Sequence, residues 1–153
     1  MAKNGFSMSN RVAVERITGD KTLTVDDCGK TFIVDSVTQG SAVDITMPNR
    51  AAAGDGWNAT FIMESGSGEG ATPQNVVFSG SVGDSALAPF QVRGVSTDAV
   101  LGAIVETGQG QTVTITGTTL QNGDQVRITN VNGALLGYAW YVDAITSASI
   151  NIG

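Results

Sequence analysis

The chain has 153 residues, near the modal size of one domain, with eight Lys and Arg against fourteen Asp and Glu, no histidine and a single cysteine, Cys28. A formal charge of -6 argues against nucleic acid and anionic membranes as partners, because phosphate binding runs on clustered Lys and Arg releasing counterions. Without histidine, Ser-His-Asp and Cys-His nucleophile pairs, His-ligated metals and a His general base are excluded; one cysteine excludes an internal disulfide and fits a reducing cytoplasm.

Charged residues make up only 14% and glycine numbers 20, so polarity comes mainly from Thr, Ser, Asn and Gln. That is a β-protein composition, since Thr and Val suit a pleated, half-buried surface and Gly suits tight turns. Residues 1–10 are polar, with no apolar stretch of signal-peptide type, and no run approaches the about 18 apolar residues of a membrane span. Residues 11–17 then hold Val12, Val14 and Ile17 among Arg11, Glu15 and Arg16. With too few apolar anchors for a core of its own, the stretch 1–18 reads as an extended arm preceding a single β-domain over 19–153.

From Asp20 the pattern has period two. Residues 22–25, 30–35 and 42–47 read as three strands at about ten-residue spacing, separated by Asp26-Asp27-Cys28-Gly29 and by a turn over 38–41. Residues 49–56, with Ala51-Ala52-Ala53, suggest a short helical turn before a strand over 57–63, and 64–74, rich in Gly with Pro73, is a loop. Further strands are expected at 75–78, 90–93, 99–106, 112–116, 125–131, 138–144 and 149–152, with Asn122-Gly123 and Asn132-Gly133 as positive-φ turns. About ten short strands in one domain point to an all-β fold, an antiparallel sandwich or barrel of jelly-roll type.

Motifs of chemistry fail on inspection. Gly29-Lys30-Thr31 lacks the glycine five residues earlier that a P-loop needs, and a strand follows it. Gly66-Ser67-Gly68-Glu69-Gly70 leads into Pro73 rather than a helix. Asp26, Asp27, Asp35 and Asp44 sit at turns or strand ends, where Asp serves local backbone hydrogen bonds. Neither Asp26-Asp27 nor Asp84 and Asp124 form the alternating carboxylate loop of a Ca²⁺ site. Cys28 beside two carboxylates is a poor nucleophile. The expectation is no catalytic residues, no metal and no cofactor. Tyr138-Ala139-Trp140-Tyr141 places aromatics on both faces of one strand. One core cannot take them all, so Tyr138, Trp140 and Tyr141 are candidates for a subunit interface.

The order Asp26-Asp27-Cys28-Gly29-Lys30-Thr31-Phe32, then Val43-Asp44-Ile45-Thr46-Met47-Pro48, then Gly56-Trp57-Asn58-Ala59-Thr60-Phe61 resembles virion proteins of tailed bacteriophages. These include capsid decoration (cement) proteins, head fibres and tail-fibre modules. The resemblance spans residues 21–63 and does not extend into the later half. It implies a β-rich structural protein, often trimeric, on the outer capsid surface of a virion made in a bacterial cytoplasm, with the major capsid protein as partner and no enzymatic activity. Decoration proteins commonly attach by a terminal arm that adds a strand to the capsid surface. Here that role would fall to Phe6, Arg11, Val12, Val14, Arg16 and Ile17. The alternative implied is a receptor- or carbohydrate-binding fibre module, with Trp57 or Trp140 as an exposed platform.

Overall fold

A computed structural model describes residues 13–66, 71–81, 90–96, 112–131 and 140–152. Its regular structure is almost wholly strand: β1 Val14–Ile17, β2 Lys21–Thr22, β3 Thr31–Asp35, β4 Val43–Thr46, β5 Asn58–Glu64, β6 Val76–Ser79, β7 Phe90–Ser96, β8 Thr112–Ile115, β9 Gln125–Asn130, β10 Trp140–Thr146 and β11 Ile150–Ile152. One four-residue helix, α1 Arg50–Ala53, and two 3₁₀ turns, Val25–Asp27 and Gly117–Thr119, are the described departures from strand and loop. The short helix forms where expected because the Asn49 side chain accepts from the Ala52 N–H at its N-terminus and Gly54, at φ 72°, ends it.

The strands form two facing sheets. Sheet A has the order β1-β3-β5-β9-β10-β7 and sheet B the order β11-β8-β6-β4-β2. Among the described residues neither sheet closes on itself, so the fold is sandwich-like and not a closed barrel. Period-two alternation holds through the strands: β3 buries Phe32 and Val34, β5 buries Ala59, Phe61 and Met63, and β6 buries Val76 and Phe78.

The antiparallel jelly-roll expectation is corrected. Five of the nine pairings among the described residues are parallel. Strands β1 to β6 alternate between the sheets, so that β1, β3 and β5 stack in parallel in sheet A and β2, β4 and β6 in sheet B. The turns between these strands carry the chain across the core to the opposite sheet instead of returning it beside the strand just left. The chain then reverses, and β9 and β8 pair antiparallel with β5 and β6. Strands β1 to β6 thus build one end of the sandwich and β7 to β11 the other, meeting at the seams β5/β9 and β6/β8.

One hydrophobic cluster runs through both ends, from Ile17 and Leu23 to Trp140, Val142 and Ala148. Phe61 is its hub, stacked on Phe32 at 5.4 Å and edge-on to Phe78 of the other sheet at 4.8 Å. Trp57 meets Trp140 edge to face at 5.5 Å, linking the two ends. The buried polar residues are mostly tied down. Asp124 accepts from Thr146 Oγ1 and from the backbone N–H groups of Gln121 and Ser147. Asn130 donates through Nδ2 to the carbonyls of Arg50 and Gly54, fixing the helical turn to β9.

Candidate functional site

The two outer faces of the sandwich differ in chemistry. On sheet B, Thr22, Thr46, Ser79 and Thr112 are consecutive register partners across β2, β4, β6 and β8. This is the polar outer face expected of a solvated sheet. On sheet A the corresponding row is Arg16, Ile33, Ile62, Gln125 and Ile145. Ile145 is 63% exposed and Val14, one row away, 61%, while Ile33, Ile62 and Tyr141 are half-buried. Neighbouring rows pair Arg127 with Asp143 and Thr129 with Tyr141 across β9 and β10. A sheet face with three isoleucines in one row is an apolar stripe that a fully solvated surface does not require.

Where this face meets the loops after β3 and β5 there is a groove of about 630 Å³, lined in part by Arg16, Ile33, Asp35, Thr38, Ile62 and Glu64. Asp35 and Glu64 are register partners on adjacent strands, so two carboxylates do share a cleft, as a carboxylate-pair enzyme would need. Both are already engaged. Glu64 pairs with Arg16, and Asp35 closes a local turn by accepting from the N–H groups of Val37 and Thr38 and from the Thr38 hydroxyl. The Thr38 hydroxyl, the strongest influence, joins those backbone bonds in holding the Asp35 carboxyl below its ordinary range. A general acid must be held protonated near neutral pH, and Asp35 is driven the other way.

At the open end of the sandwich, Glu15 on β1 and Lys21 on β2 lie on the inward-facing sides of their strands, as register partners of Phe32 and Ile45. They pair with each other, and Lys30 bridges Glu15 and Asp27. The Lys21 ammonium also lies 5.8 Å from the centre of the Phe32 ring. The hydrogen bond from Lys21 lowers the Glu15 pKa. Burial, the largest influence on Asp27, pushes its carboxyl up, but hydrogen bonds from Lys30 and from the Thr24 N–H and hydroxyl outweigh it and the net shift is downward. Inward-pointing charge on short edge strands blunts indiscriminate pairing while shielding the core.

The expected docking arm divides in the structure. Phe6, Arg11 and Val12 lie outside the described residues. Val14, Arg16 and Ile17 belong to β1, an edge strand of sheet A, with Ile17 buried in the core. Ile17 is therefore a packing residue, while Val14 and Arg16 face outward. Tyr138 lies outside the described residues. The reading of Trp140 as an interface residue is corrected: it is fully buried in the chain's own core because its side of β10 faces sheet B, leaving half-buried Tyr141 on the outer face. Trp57 is buried too, its indole N–H donating to the Val25 carbonyl at 3.2 Å, so neither tryptophan forms an exposed platform. Cys28 is exposed in the turn after the first 3₁₀ segment; the strand expected at 99–106 and the Asp84 loop lie outside the described residues.

Sequence reasoning passed over Ile33, Ile62 and Ile145. The signal was present as unbroken apolar runs, Phe32-Ile33-Val34 and Phe61-Ile62-Met63, in strands whose alternation leaves one side outside the core. Among the described residues no group of three or more Cys, Asp or Glu is placed to hold a metal ion, and no helix is long and apolar enough to cross a membrane. No protein-family model, no curated protein and no solved structure matches the chain.

Proposed function

We propose that this chain is a non-enzymatic virion structural protein that decorates the outside of a tailed-bacteriophage capsid and stabilises the shell by bridging neighbouring capsid subunits. The observation that carries the reading is the position of β1. The segment from which an attachment arm would extend enters the sheet as a four-residue parallel edge strand, with Val14 exposed beside it. A strand contributed by the capsid protein can add to that edge through main-chain hydrogen bonds, and the charges of Glu15 and Arg16 restrict which strands fit. The resemblance over residues 21–63 supports the same reading; that stretch includes β3, the strand on which β1 pairs.

The test uses capsids of the encoding phage assembled without the protein. Purified full-length chain should bind them to saturation and appear as regular surface density by electron microscopy. A variant lacking residues 1–12, which keeps β1, should retain its fold by circular dichroism and lose attachment. Full occupancy by the truncated variant refutes the arm. Absence of capsid binding, together with saturable binding to host-surface glycans, refutes the decoration role.

A further inference from the structure

We infer that the outer face of sheet A is a self-association surface on which two copies of this chain pack about a two-fold axis running parallel to β9 and β10. Three observations lead there, none involving the capsid.

The first is the contrast between the faces. Both belong to one sandwich, yet the Thr22, Thr46, Ser79 and Thr112 row lies on sheet B while Ile33 and Ile62, half-buried, and Ile145, 63% exposed, occupy one row of the longer-stranded sheet A. Ile145, 63% exposed, forgoes the burial that favours apolar side chains away from water. One face is built for solvent and the other for contact.

The second is that the middle of the sheet A face is complementary to itself. An isologous interface requires that each residue on one side of the axis suit the residue on the other side. Across β9 and β10 the outward pairs are Thr129 with Tyr141, Arg127 with Asp143 and Gln125 with Ile145. Turning a second copy over about an axis between these strands sets Arg127 against the partner's Asp143 and Asp143 against the partner's Arg127. It sets a Tyr141 ring against a Thr129 methyl, and the Ile145 side chain against the stem of Gln125, in the same operation. Such pairs would also steady the β9–β10 ladder within one copy, but that ladder has no use for exposed isoleucines.

The third is size. With the axis between β9 and β10 the strands that overlap are β5, β9, β10 and β7, which at about 4.8 Å apart and about 3.3 Å per residue present a face of roughly 400 to 450 Å². Two copies would bury about 800 to 900 Å², below the range of permanent interfaces and in that of transient ones. That predicts a weak, reversible dimer rather than a permanent one. It also differs from the threefold assembly implied by the sequence resemblance, because a self-complementary face closes with two copies. β3 and β1 lie beyond the overlap, so the β1 edge stays open in the dimer.

Sedimentation equilibrium of the full chain over a micromolar to near-millimolar range should show a monomer–dimer equilibrium. Ile145→Arg should raise the dissociation constant at least about tenfold, as loss of a contact near an interface centre does. Thr114→Arg on the outer face of sheet B should leave it unchanged. Arg127→Asp should weaken association and the double change Arg127→Asp with Asp143→Arg should restore it, with thermal unfolding confirming that each variant folds. A chain that stays monomeric throughout, forms trimers, or dimerises equally well with Ile145→Arg overturns the inference.

Discussion

Gly117 shows how a single residue can be fixed by backbone rather than side-chain contact. A Cβ there would stand 2.4 Å from the Pro73 carbonyl oxygen and 2.5 Å from the Gln74 carbonyl carbon, and main chain cannot swing away as a side chain can. Gly117→Ala should cost about 1 to 3 kcal/mol or more, read as a lowered denaturation midpoint. Asn130 is constrained through polarity: with Asn130→Ala the Arg50 and Gly54 carbonyls lose their donor, and a loss of about 2 to 3 kcal/mol is expected in chemical denaturation. Titration adds a further test. Asp27, Asp35 and Glu15 all have lowered pKa values in the fold, so the stability they contribute is fully present above their ordinary values and is lost as pH falls through the folded ones. The melting temperature should therefore begin to fall as pH drops toward the ordinary values, 4.5 for Glu15 and 3.8 for the aspartates, and keep falling below them, and Asp27→Asn with Asp35→Asn should be less stable at neutral pH but show a flatter acid limb.

Among elements, β5 carries the most, since it touches the parallel stack on one side and the antiparallel stack on the other. Phe61→Ala removes the ring between Phe32 and Phe78 and should cost about 3 to 5 kcal/mol, measurable by urea unfolding. Most strands were legible from period-two alternation, and α1 from Asn49 and the alanines after it. The strand expected over 22–25 is cut short because Thr24 and Asp27 form a capping box that bends Val25–Asp27 into a 3₁₀ turn; the Thr-x-x-Asp spacing carries that signal. Partner choice was not legible. Alternation says which side of a strand is buried, not which strand lies beside it, and nothing local in Ser36 to Ser41 distinguishes a hairpin from a crossing between sheets. The docking residues divided for the same reason: Ile17 has the chemistry of an arm anchor and of a core residue alike, and only the pairing of β1 with β3 decides.

For the whole molecule, the alternation of β1 to β6 between sheets means that almost every strand pairing joins residues distant in sequence. Loop closure must precede the reward of contact, so refolding should take milliseconds to seconds rather than microseconds, and stopped-flow tryptophan fluorescence can follow it through Trp57 and Trp140, buried where the two ends meet. That meeting has a further consequence. Because strands β1 to β6 and β7 to β11 occupy separate ends joined along β5/β9 and β6/β8, the polypeptide can be divided just after β6 without cutting a described strand. Expressed as two chains, the pieces should each fail to fold alone, each holding only part of the single hydrophobic cluster, and should find one another when mixed. Recovery of a cooperative melt from the mixture, absent in either piece, would make this sandwich a two-part reconstitution system whose assembly can be switched by supplying the missing half.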